Sequence, residues 1–95
     1  MDKILSNLGL CARARGLVDG TDIVCSLMAN NRIYLVFLAN DASENTKKKI
    51  RNKANYYNVE VQESYSSEEL SSAIGKVGRM VVGISNESFL KILKK

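Results

Sequence analysis

Residues Ile33 to Ala39 (Ile-Tyr-Leu-Val-Phe-Leu-Ala) form an uninterrupted apolar run of seven, rich in β-branched and aromatic side chains. A strand with one wet face alternates polar and apolar residues. A run without alternation predicts a strand covered on both faces, the core of a sheet. Such a strand needs helices above and below it, and the remaining sequence supplies them.

From Lys3 to Ala14, Ile4, Leu5, Leu8, Cys11 and Ala12 recur at helical spacing, with Gly16 placed to end the helix. Leu17-Val18 reads as a very short strand. Gly20 then opens a second helix, with Ile23, Val24, Leu27 and Met28 on one face and Asn30-Asn31 as its stop. After the central run, Asp41 with Glu44 three residues on reads as the cap of a third helix reaching Asn58, with Ala42, Thr46, Ile50, Ala54 and Tyr57 inward. Val59-Glu60-Val61 alternates like an exposed strand. Ser66 with Glu69 predicts a capping box for a short helix that Gly75 ends, Arg79 to Ile84 reads as a second interior strand, and Asn86 begins a last helix with Phe89, Ile92 and Leu93 inward. Helices and strands alternate throughout. The expected fold is α/β: a three-layer α/β/α sandwich on a four-stranded mixed sheet, with residues 1–95 as a single domain.

The 95 residues carry no histidine and no proline. The commonest general base and metal ligand is therefore missing, the acidic residues lack metal-ligand spacing, and no serine or cysteine sits in a nucleophile motif. A non-enzymatic protein without cofactor or metal is expected. Cys11 and Cys25 have neither zinc-site nor disulfide-scaffold spacing and read as reduced core thiols. No run is long enough for a signal peptide or a membrane span, so a cytoplasmic location is expected. A net charge of +4 and a pI near 9.2 favour an anionic partner.

Two arginines and two glycines, Arg13, Arg15, Gly16 and Gly20, lie just ahead of the helix start at Thr21. Glycine permits close backbone approach and free N–H groups at a helix start attract phosphate, which points to RNA. Gly75-Lys76-Val77-Gly78 closes a helix and leads into a strand, the reverse of a nucleotide-binding loop. It reads equally as a cap followed by a tight turn and as an RNA-contacting loop, with Lys76 and Arg79 as flanking donors, and the two readings are compatible. Asp19 and Asp22 bracket a helix start and read as capping and dipole-compensating groups. Lys47, Lys48, Lys49, Arg51 and Lys53 spread around the third helix and read as a solvated face. The four tyrosines do not repeat in a stacking signature, and Tyr34 and Tyr57 are expected in the core.

Three segments carry a resemblance along the whole chain: Leu8-Gly9-Leu10 through Arg15-Gly16-Leu17-Val18-x-Gly20, Ala39-x-Asp41-Ala42-Ser43-x-Asn45-Thr46-Lys47-Lys48-Lys49-Ile50, and Ala73-Ile74-Gly75-Lys76. Together they resemble the kink-turn-binding ribosomal proteins of the L7Ae/L30e type, in their small bacterial YlxQ-like branch. The resemblance implies the α/β/α sandwich and an RNA site on one face, formed by Gly20, Thr21, Asp22 and Ile23, by Asn40 and Asp41, and by Lys76, Val77, Gly78 and Arg79. It further implies that helix-start N–H groups hold phosphates, that neighbouring side chains read tandem sheared G·A pairs, and that the apolar loop covers a looped-out nucleotide.

The family's strong binders commonly have Gly-x-Asn-Glu or a related polar pair followed by a lysine, where this chain has Gly20-Thr21-Asp22-Ile23, with Ser26 near the lysine's position. Asp22 accepts a bond from a guanine edge but repels phosphates, and Ile23 forms no hydrogen bond. The expected function is binding of structured RNA, a kink-turn or ribosomal RNA, by a ribosome-associated monomer through these residues with Arg13 and Arg15. The alternative expectation is a protein-interaction module of the translation machinery, using the surface around Asp22 and an exposed Ile23.

Overall fold

The computed structural model describes residues 2–94. Helix α1 (Lys3–Arg13) leads into strand β1 (Leu17–Asp19), followed by α2 (Thr21–Ala29), β2 (Leu35–Leu38) and α3 (Glu44–Tyr57). Then come β3 (Glu60–Gln62), α4 (Ser67–Ala73), β4 (Val81–Ile84), a 3-10 turn (Glu87–Phe89) and α5 (Leu90–Leu93). The sheet is mixed, in the order β1-β4-β2-β3. Strand β4 is antiparallel to both β1 and β2, and β3 runs parallel to β2. Helix α2 packs on α3 over one face, and α1 packs on α4 and α5 over the other. This is the expected α/β/α sandwich.

The two interior strands are those read as interior, and every residue of β2 and β4 is buried. Leu8 and Cys11 from α1, Val24 and Met28 from α2, Ile50 from α3 and Leu70 from α4 close over them with no exposed surface. Gly83 sets how closely α2 lies on the sheet. A Cβ there would sit 3.0 Å from Ile33 Cδ1 and 3.2 Å from the Val24 methyls. The Ser66–Glu69 capping box is present in full. Asn30 and Asn31 end α2, with Asn31 in the left-handed region.

Several local readings are corrected. The first residues of the central run lie outside β2, and Tyr34 is exposed rather than core, on the surface with Leu27, Arg32 and Ser85. Ser43, not Asp41, caps α3, its Oγ accepting from the Thr46 N–H at 3.2 Å. Arg79 and Met80 precede β4 because Arg79 is held by a side chain of α4. The last helix is split into a 3-10 turn and one turn of α5, which leaves Ile92 facing outward while Leu93 is buried. Ile23 likewise stands outside the buried face of α2.

The end of α1 also differs from expectation. Arg15, with φ 58°, takes the left-handed position, and the Gly16 N–H returns to the Cys11 carbonyl at 2.8 Å. Gly16 serves packing instead. A Cβ at this position would lie 2.9 Å from Cys11 Sγ and 3.1 Å from the Phe89 ring. Gly16→Ala is expected to destabilise the fold by about 1–3 kcal/mol through overpacking, measured by urea unfolding, with no change in the denaturant slope. An unchanged midpoint would show that Phe89 moves aside freely.

Candidate nucleic-acid interface

Because β4 runs opposite to its two neighbours, β1 and β2 both finish where β4 begins. Asp19 lies opposite Val82, and Leu38 opposite Val81. Beyond the ladder the Gly20 N–H donates to the Val81 carbonyl at 2.9 Å, and the Ala39 N–H to the Met80 carbonyl at 2.8 Å. One end of the sheet thus gathers three segments remote in sequence: Gly20 to Ile23, Asn40 with Asp41, and Lys76 to Arg79.

Gly20, at φ 113°, turns the chain into α2, and no side chain caps this helix. The N–H groups of its first turn therefore remain free for an anion or a polar edge. Asp22 stands in that turn, fully outward, and is met by the Lys49 ammonium of α3 at 3.1 Å. Its charge is locally offset by a residue that the sequence reading had assigned to a solvated face. Among the described residues the Asn40 side-chain amide has no hydrogen-bond partner. It is a free donor and acceptor beside the helix start.

The loop after α4 is braced from two sides. Ser71, itself buried, accepts from the Arg79 N–H at 2.7 Å and donates to the Arg79 carbonyl at 3.2 Å, and its own carbonyl accepts from the Lys76 N–H at 2.8 Å. Asp19, with its side chain only 11% exposed, accepts from Lys76 Nζ at 2.9 Å and Arg79 Nε at 3.1 Å. This role replaces the capping expected of Asp19. Gly75 and Gly78, at φ 74° and 71°, make the turn between these anchors. Val77 is thereby held out at its tip, 89% exposed. With Ile23, 48% exposed, and Met80 it forms the apolar part of this end.

Asp41 lies here too, but its carboxylate is committed to the fold. It accepts from Ser67 at 2.7 Å through both the N–H and the hydroxyl. The Ser67 hydroxyl and N–H hold its pKa below the ordinary value of 3.8. The stabilisation is therefore present above that value and is lost as pH falls through the lowered one.

Arg13 and Arg15 are not part of this cluster. The Gly16 carbonyl accepts from Ser85 and Asn86 beyond the far end of β4, so both arginines lie at the opposite end of β1. Both are exposed, and neither makes an ion pair among the described residues. Position in sequence had joined them to Gly20, and the strand between separates them by about 10 Å. Lys49, Ser71 and the bracing role of Asp19 were missed, since each acts through a contact with a distant element.

Among the described residues no group of His, Cys, Asp or Glu is arranged to hold a metal ion. Burial pushes the Cys11 thiol up to about 11, which leaves it protonated and inert. No helix among the described residues is long and apolar enough to cross a membrane.

An open helix start, a free amide and a braced apolar loop thus lie together at one end of the α/β/α sheet. The profile of the ribosomal protein L7Ae/L30e/S12e/Gadd45 family matches residues 2–94. The chain is 41% identical over 93 residues to the RNA-binding protein YlxQ of Enterococcus faecium, covering 98% of this chain and 89% of the relative. It is 44% identical over 82 residues to the RNA-binding protein YlxQ of Bacillus subtilis, covering 86% and 82%. A Bacillus halodurans structure of unknown function superposes with a TM-score of 0.94 at 39% identity, covering 98% of this chain and 94% of that one. The fold is shared with a 15.5 kD RNA-binding protein of Giardia lamblia, at a TM-score of 0.81 and 16% identity, covering 96% and 78%. The chain belongs to the ribosomal protein L7Ae/L30e/S12e/Gadd45 family.

Asp19→Ala is expected to free the side chains of Lys76 and Arg79 and to loosen the loop. Amide exchange at residues 76–79 should quicken, while stability falls by no more than about 1 kcal/mol because the cations are solvated. Exchange unchanged in this loop would mean that Ser71 alone holds it.

Proposed function

We propose that this chain is a non-enzymatic RNA-binding protein of the cytoplasm, associated with the ribosome, which recognises a kink-turn or similarly bent RNA. The observation that carries the reading is the gathering of Gly20 to Ile23, Asn40 and Lys76 to Arg79 at one sheet end, with free donors and an exposed apolar tip side by side. The YlxQ relatives are named as RNA-binding proteins, which supports the same ligand class. In this reading the first-turn N–H groups of α2 hold a phosphate, while Asn40, Thr21 and Asp22 face purine edges. Val77 covers an unstacked nucleotide, with Ile23 beside it.

The charge balance decides what kind of binding to expect. Lys76 and Arg79 share Asp19, and Lys49 offsets Asp22, so the cluster has little excess positive charge. Affinity then rests on shape and hydrogen bonding more than on counterion release.

A titration against a kink-turn RNA and a straight duplex of equal length, at two salt concentrations, tests this. The kink-turn should be preferred, and the preference should persist at the higher salt. Lys76→Ala should weaken binding and reduce the log–log salt slope by roughly 0.7–0.9, with a smaller effect from Arg13→Ala at the far end of β1. Equal, salt-sensitive binding to both RNAs would reject the site. It would favour the second reading, a protein-interaction module of the translation machinery, for which the exposure of Ile23 and Val77 is the supporting observation.

A further inference from the structure

Helix α3 starts at the sheet end that carries the candidate site and runs away from it beside α2. Its outward face presents Lys49, Asn52, Lys53 and Tyr56, spaced at i, i+3, i+4 and i+7, so they form one continuous stripe. With Tyr57 they line an open groove of about 480 Å³. Tyr56 is 77% exposed, an unusual position for a ring of this size. Tyr57 meets it edge to face, with centroids 4.8 Å apart and planes at 87°, and so steadies it.

The charged residues that line the groove, Lys49 and Lys53, are both cations. After Glu44 the helix carries five cations and no carboxylate. Glu44 pairs with Lys47 and Glu63 with Arg51, but Lys48 and Lys53 have no ion-pair partner among the described residues. Lys49 joins the groove to the candidate site through its contact with Asp22. An exposed ring on a cationic stripe has the two elements of a single-strand platform: a flat apolar face for a base and, beside it, an unpaired ammonium group, that of Lys53, for the backbone. A folded duplex offers no free base face to such a ring. A protein partner would need acidic and aromatic groups in matching order, whereas every RNA strand presents both.

We propose that the outer face of α3 is a second RNA contact, which takes an unpaired strand by stacking a base on Tyr56 with Lys53 on the backbone. The assignment of RNA as its ligand rests on the reading given under the proposed function. The surface itself lies outside the residues that reading uses.

The test is an anisotropy titration of the full chain with a labelled single-stranded RNA of about twelve nucleotides, in parallel with a blunt-ended kink-turn RNA. Tyr56→Ala should weaken single-strand binding by about tenfold, and Tyr56→Phe should retain it because the ring remains. Lys53→Ala should lower the single-strand salt slope by roughly 0.7. None of the three should alter affinity for the kink-turn; the thermal midpoint should hold for Lys53→Ala and Tyr56→Phe, and Tyr56→Ala, which loses only the edge-to-face contact with Tyr57, should remain folded at the titration temperature. Undiminished single-strand binding by Tyr56→Ala, or no binding of the single strand by the parent chain, would overturn the proposal. Single-strand binding that depends on Tyr56, without kink-turn preference, would uphold the platform and remove the bent-RNA reading. Kink-turn preference without single-strand binding would do the reverse.

Discussion

The gathering of three remote segments at one end of this molecule follows from the direction of β4. It lies between β1 and β2 and is antiparallel to both, so the strands that lead into α2 and into the loop before α3 end at the place where β4 begins. Helices α2 and α3 consequently start on the same side of the molecule. The 76–79 loop, which must deliver the chain into β4, is brought against them. Had β4 been parallel to its neighbours, that loop would open at the opposite end and the three segments would not meet.

On this frame the site is built more by rigidity than by charge. Asp19 is mostly buried and holds Lys76 and Arg79 together, while Ser71 fixes the backbone between them. The cost of an exposed valine at the tip is tolerated because the loop is anchored on both sides of it. A pre-ordered loop loses less entropy when a ligand closes on it, which raises affinity without adding a contact. The uncapped start of α2 follows the same logic. Free N–H groups cost little in water, and they are fixed by the helix in a direction that an anion can use.

The sequence made the layers readable because each element carries its own periodicity. The apolar run around Leu35 to Leu38 identified the sheet core, and the Ser66–Glu69 pair marked the start of α4 to the residue. Contacts between distant elements were not readable. Asp41 and Ser43 both resemble helix caps, and only the position of Ser67 draws Asp41 away. Asp19 looked like a partner for α2 because its bond to Lys76 and Arg79 depends on strand order, which no local pattern encodes. Arg13 and Arg15 show the same limit from the other side: five or seven residues from Gly20 along the chain, they are separated from it by the full length of β1. The exposed ring of Tyr56 went unweighted for a similar reason, since its position on a cationic stripe appears only when the helix is in place.

The central claim is that three remote segments act as one RNA-binding surface. It is tested most directly by following the backbone amide resonances of the full chain as a kink-turn RNA is added. The account predicts saturating shifts at residues 20–23, at 40 and at 76–80, moving together with a single binding curve. Shifts confined to residues 13–16 and 85–86, at the opposite end of the sheet, would contradict it.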